Sequence, residues 1–122
     1  MIYERDYIKR LIRDIARTLA KLLLGIDTET PTVELLEDTE KKQLAFSLLE
    51  TADAGDINGA ENLLYAMLEE NPEGSLEIGL IFYSHLNEKS DEFLESHDFS
   101  REEVEDGLRH IAAVFGLADS IP

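Results

Sequence analysis

Apolar residues in the first quarter of the chain recur at steps of three and four. Ile8, Leu11, Ile12, Ile15, Leu19, Leu22, Leu23 and Ile26 follow the period of one helical face. A helix is predicted from about residue 3 to residue 24, with Gly25 as its stop, because a helix readily closes on a glycine in the left-handed conformation. Between residues 26 and 38, Asp27, Thr28, Thr30, Pro31 and Thr32 favour irregular backbone. This stretch reads as a linker with a short turn at residues 33–36. Helical spacing resumes at Leu44, Leu48, Leu49 and Ala52 and stops at Gly55. Asp56 is placed to cap the next helix, whose stripe is Ile57, Ala60, Leu63, Leu64, Met67 and Leu68. So short a turn makes the two helices antiparallel.

Asn71 and Pro72 end that hairpin, and Ser75 is expected to cap a helix with Leu76, Leu80, Phe82, Tyr83 and Leu86 on its inner face. A short helix over 91–97, anchored by Phe93 and Leu94, follows a break at 87–89. The last helix has the clearest start: Ser100 and Glu103 fit a capping box, with Phe99 and Val104 at the staple positions. Its inner face is expected to hold Val104, Leu108, Ile111, Ala112 and Phe115, with Gly116 as the stop. No stretch alternates with period two, so strands are not indicated. The fold class is all-α, a single helical domain over 1–122. It divides into an amphipathic helix over 1–25, the linker over 26–38 and a helical body over 39–122.

Residues 41–74 carry one repeat-like unit. Gly55, Ala60 and Pro72 fall at the turn, close-contact and terminal positions of a tetratricopeptide-like 34-residue hairpin. Leu48 and Met67 stand where small residues are usual, and a shift by one period puts Lys89 at the turn and Leu94 in the place of Ala60. One hairpin is indicated, not an array.

Composition changes this picture in two ways. Of the 122 residues, 43% are apolar, enough for a core, and no tryptophan is among them, so aliphatic side chains fill it. The absence of cysteine removes disulfides, thiolate nucleophiles and cysteine-held metals together. The longest uncharged run, Ile78 to Asn87, is well short of the roughly 20 residues that cross a bilayer. A soluble, cytoplasmic protein is expected.

The formal charge of -16 is unevenly placed. Residues 1–24 hold six basic groups against three acidic ones, a balance of +3. The other 98 hold five against 24, a balance of -19. Arg5, Lys9, Arg13, Arg17 and Lys21 stand four apart and wind slowly around the helix beside its apolar side. Three arrangements suit such a helix. It packs on the acidic body and offsets its charge, it forms a seam with a partner helix or a second copy of the chain, or it lies on an anionic membrane surface. The favoured function is a non-catalytic protein-binding or scaffolding module, with Ile8, Ile12, Ile15 and Leu19 as contact anchors and Arg13 and Arg17 as charge guides. Peripheral membrane association through the same helix is the alternative. Nucleic acid is not an expected partner of so acidic a chain.

Little else points to chemistry. His85, His97 and His110 are too far apart for one helical face and form no H-E-x-x-H pair. The stretch from Asp53 to Gly59 suggests a calcium loop, but with Gly59 as its turning glycine Ala54 and Tyr65 fall where oxygen ligands are essential. No nucleophile elbow, phosphate loop or dinucleotide fingerprint occurs. No cofactor, metal ligand or catalytic residue is nominated, and the chain is not expected to be an enzyme. An enzymatic reading would gain if a pocket joined a buried carboxylate to His85 or His97; Tyr83, His85 and Glu88 are placed to line one.

The opening Tyr3-Glu4-Arg5-Asp6-Tyr7-Ile8 with Leu11-Ile12-Arg13, the Gly25-Ile26-Asp27 junction, Asn62-Leu63-Leu64-Tyr65, Phe93-Leu94-Glu95 and Asp98-Phe99-Ser100-Arg101-Glu102-Glu103 together resemble a bacterial family of short acidic helical proteins of unknown function. The resemblance covers nearly all of the chain. It implies a helical, tetratricopeptide-like fold and a bacterial cytosolic setting, and brings no reaction or cofactor.

Overall fold

The computed structural model describes residues 2–122, with the side chains of residues 2–5 outside the description. Six α-helices follow one another among the described residues: α1 (Ile2–Leu24), α2 (Thr39–Asp53), α3 (Ile57–Glu70), α4 (Pro72–Asn87), α5 (Asp91–Ser96) and α6 (Arg101–Val114). A one-turn 3-10 helix, Val33–Leu35, interrupts the stretch between α1 and α2, and another, Ala118–Ser120, follows α6. No strand occurs among the described residues.

Helix boundaries follow the local chemistry of the sequence. Asp38 caps α2 by accepting from the Glu40 and Lys41 amides, Asp56 caps α3 through Gly59, and Ser100 caps α6 through Glu103. Phe99 and Val104 are both buried beside that last cap, as a hydrophobic staple requires. Gly25 and Gly116 close α1 and α6 at φ of 70° and 75°, where any other side chain would be strained. One boundary differs from expectation. Asn71 caps α4, with Pro72 in its first turn, so α4 starts directly after α3. Ser75 is buried inside α4 and donates to the Met67 carbonyl at 3.0 Å.

Helix α4 is the axis of the fold. α2 and α3 pack on each other, α1 and α6 pack on each other, and α4 touches all four. Its side chains are accordingly buried around the whole circumference, from Leu76 through Ile78, Leu80, Ile81, Phe82, Tyr83 and Leu86, as expected of a helix with partners on every side. Two glycines permit the close approaches. A Cβ at Gly79 would stand 2.5 Å from Ile111 of α6. One at Gly107 would stand 2.1 Å from the Tyr83 ring, so the glycine lets that ring pass between α4 and α6.

Four predicted core positions are on the surface instead. Leu22, Leu44, Leu63 and Phe115 are 50%, 45%, 56% and 44% exposed. They sit at the margins of their stripes, and α2 turns the smaller Ala45 inward beside Leu48 and Ala52. The stretch 26–38 is a fitted strap: Pro31 and Leu36 are buried, and Val33 packs against the core.

Arg101 is the one charged side chain that is buried, among the described residues, at 5% exposure. Its guanidinium donates to the Asn87 carbonyl at 2.6 Å, the Lys89 carbonyl at 2.9 Å and Asp91 Oδ1 at 2.7 Å. These contacts join the end of α4, the connection after it, the start of α5 and the first turn of α6. Asn87 extends the network by donating to the Lys9 carbonyl of α1 at 3.1 Å.

Candidate functional site

One flank of α4 presents Ile81, Ser84, His85 and Glu88, at the three-four spacing that keeps them in line. Opposite stand Phe46 and Leu49 of α2, and the strap residues 30–34 close the third side. The result is a cleft of about 260 Å³. Ile81 and Ser84, 1% and 5% exposed, form its floor, and Phe46, at 56%, stands at the rim. Pro31, Val33, Phe46, Leu49 and Ile81 make its lining largely apolar.

Ion pairs brace one end. Glu88 accepts from Arg13 Nε and Nη2 at 3.1 and 2.7 Å, a two-point contact whose fixed geometry suits a guanidinium. The Arg13 hydrogen bonds hold the Glu88 carboxyl below its usual range despite partial burial. Asp53 Oδ1 accepts from His85 Nε2 at 2.7 Å and pairs with Lys89 Nζ at 2.8 Å. Burial pushes the Asp53 carboxyl up, but the Lys89 and His85 hydrogen bonds outweigh it and hold the group low. Ser84, His85 and Asp53 are the residue types of a hydrolytic triad, yet the arrangement is not one. Ser84 Oγ meets no hydrogen-bond partner among the described residues, and the triad mechanism needs that hydroxyl bonded to the imidazole.

His97 is held structurally: its Nδ1 donates to the Phe93 carbonyl at 2.8 Å, and its ring lies against Gly55. No group of three His, Cys, Asp or Glu placed to hold a metal ion occurs among the described residues.

A second polar cluster lies across α4 from the cleft. Tyr83 donates to Glu61 Oε2 at 2.6 Å, and Tyr65 packs edge-on against His110 with centroids 5.4 Å apart. Burial raises the Glu61 carboxyl above its ordinary 4.5, and nearby Glu103 adds to the rise, while the Tyr83 and Tyr65 hydrogen bonds and His110 oppose it. A raised carboxylate lowers stability as pH climbs through the window between its unfolded and folded values. Glu61→Gln keeps an acceptor for Tyr83 and removes the charge. The variant is expected to melt above the wild type at pH 7 and to converge with it near pH 4, followed by circular dichroism. A deficit of equal size at every pH would sink this assignment.

The nominated anchors are placed elsewhere than a partner seam requires. Ile12, Ile15 and Leu19 are 0% exposed, covered by the chain's own core, and Ile8 is half-buried against that core. Their apolar side is occupied by α4 and α6, so it offers neither a second copy nor a bilayer a free face. Arg13 is paired with Glu88, and Arg17 with Asp27 through contacts of 2.6 and 3.1 Å. The Arg5 side chain of the same stripe lies outside the described residues. Of the pocket trio, His85 and Glu88 line the cleft, whereas Tyr83 points to Glu61. Sequence reasoning misses Ser84 and Phe46, reads Leu49 only as part of a helical stripe and Asp53 only as part of a failed calcium loop; the available signal is a serine inside the uncharged run 78–87.

No helix among the described residues is long and apolar enough to cross a membrane. No curated protein and no solved structure matches the chain. A family model does, along residues 2–116, nearly the whole set of helices described above. The chain therefore belongs to the family of unknown function DUF6483.

Proposed function

We propose that the protein is a small, acidic, non-catalytic helical module of the bacterial cytoplasm that binds a protein partner, through the cleft between the strap, α2 and α4. The observation that carries this reading is the exposure of Phe46, 56%, at the rim of an apolar cleft on a chain whose other long apolar stripe is engaged in its own core. Interfaces concentrate their binding energy in such pockets, where an aromatic rim and a desolvated floor receive an anchor. The unbonded Ser84 Oγ favours binding over nucleophilic catalysis. The tetratricopeptide-like character of the α2–α3 hairpin belongs to the same reading, since helical hairpins of that kind serve as binding surfaces.

Photo-cross-linking tests it. A benzophenone amino acid is placed at position 46, and at exposed Ala113 as a control, and both proteins are irradiated in native cytosol. Cross-links to a protein at 46 alone, competed away by unlabelled wild type but not by Phe46→Glu, are the expected result. Phe46→Glu should keep the helicity of the wild type because the side chain is largely in water. Cross-links that wild type fails to compete, or that position 113 reproduces, would overturn the assignment of the cleft.

A further inference from the structure

The ring of helices around α4 has two gaps. That between α1 and α2 is covered by the strap 26–38, whose residues line hollows against both helices. α3 and α6 also pack on α4 but scarcely on each other, and no segment among the described residues covers the gap between them. The C-terminal residues turn the other way: Pro122 shares a hollow with Tyr7 and Leu11 of α1, and its carbonyl accepts from Arg109 at 3.4 Å. What remains is a trough of about 560 Å³, lined by Tyr65, Leu68 and Glu69 of α3 and by His110 and Val114 of α6. Leu68 is buried beneath it, while Tyr65 and Val114 are 37% and 42% exposed. A small-molecule site would enclose its ligand; an open trough between two helices fits a third.

The charges at this trough are local and uncompensated. Helical spacing puts Glu61 and Glu69 on the α3 side with Tyr65, and Glu103 and Asp106 on the α6 side with His110 and Val114. The carboxylates of Glu69, Glu103 and Asp106 form no hydrogen bond or ion pair among the described residues. Their repulsion is felt at one end of the trough: after burial itself, Glu103 adds to the rise of the Glu61 carboxyl, and Asp106 to that of the Tyr65 phenol. Arg109 gives no relief, being turned to Glu105 at 2.8 Å, and His110 is set edge-on against Tyr65. Like charges around an apolar floor, without a counter-ion, favour a partner that brings the cations.

We infer that the trough between α3 and α6 docks an amphipathic helix of a partner protein, with aliphatic side chains over Leu68 and Val114 and lysines or arginines beside Glu69 and Asp106. The helix takes the place in the ring that the strap fills on the other side of α4. Its apolar stripe supplies the anchors, and the charges at the rim steer it and set its register. The chain's own α1 is a helix of this kind held by the same body: its apolar side is buried on α4 and α6, and Arg13 and Arg17 pair with Glu88 and Asp27. The trough lies across α4 from the cleft, so it is a second docking face that stands or falls apart from the first.

The test is a nuclear magnetic resonance titration of the full chain with the helix-forming peptide acetyl-Ala-Lys-Leu-Ala-Lys-Lys-Leu-Ala-Lys-Leu-Ala-Lys-amide. One control peptide carries serine for every leucine, another glutamate for every lysine. Amide shifts are expected to gather on Tyr65, Leu68, Glu69, His110 and Val114 and to spare Phe46 and Ser84 in the cleft. Both control peptides should fail to bind. The double variant Glu69→Lys with Asp106→Lys should bind the leucine peptide about tenfold more weakly, since two attractions become two repulsions. Glu37→Lys with Glu50→Lys, equally exposed positions away from the trough, changes the net charge by the same amount and should leave binding as it was. Circular dichroism confirms that both double variants keep their helices. Equal weakening by the two pairs, binding of the serine peptide, shifts scattered over the surface or gathered in the cleft, or no shifts at all would overturn the assignment. Cross-linking at position 46 is unaffected by either result, so the cleft is judged separately.

Discussion

Replacing Arg101 by alanine is expected to cost about 3–5 kcal/mol of stability, the range found when one partner of a buried charge network is removed. The guanidinium is nearly enclosed, and it is the group that accounts for the Asn87 and Lys89 carbonyls where α4 ends. Alanine leaves the Asn87 carbonyl buried without its donor. Arg101→Lys should recover little, because an ammonium cannot serve carbonyls and a carboxylate through a planar fork. Urea denaturation of the three proteins measures this. A lysine variant within about 1 kcal/mol of the wild type would show that charge alone matters there and that the fork geometry does not.

A glutamate in place of Ile15 is expected to be still more damaging, about 4 kcal/mol or more, since it removes a buried aliphatic side chain and forces a carboxylate among apolar neighbours. Ile15 is 0% exposed where α1 meets α4 and α6. The expected result is lost helicity by circular dichroism, with no clean shift from a dimer to a folded monomer by light scattering. A folded Ile15→Glu monomer derived from a wild-type dimer would instead place this side chain in a seam between copies. Ile12→Glu should behave in the same way, for the same reason.

Much of the architecture is legible in the sequence alone. Caps and stops were legible because each is a local contract between neighbours: Asp56 with the Gly59 amide, Ser100 with the Glu103 amide, Gly25 at positive φ. The apolar stripe of α1 was equally plain, but periodicity states only that a face is buried. It does not name what buries it, and the same spacing serves a seam or a core. That is why Ile12, Ile15 and Leu19 suggested a partner and turned out to meet α4 and α6. The uncharged run 78–87 reads as a helix with one inner face, too short to span a membrane, although its even apolarity is the mark of a helix with neighbours all round. The cleft was harder still. Ser84 and Phe46 are ordinary residues 38 positions apart in the sequence, brought together by the packing of α2 on α4, and the missing hydrogen bond of Ser84 has no trace in sequence.

The enclosed phenol at Tyr83 gives the protein a built-in optical gauge. Its ring is wedged against Gly107 of α6 while its hydroxyl reaches Glu61 of α3, so separating any of three helices transfers the same chromophore to water. With no tryptophan and four tyrosines in the chain, nothing brighter drowns that signal. Unlabelled protein can thus report the parting of its own centre in near-ultraviolet absorbance, while a tryptophan-bearing peptide added to it would emit in a spectral window the host leaves dark.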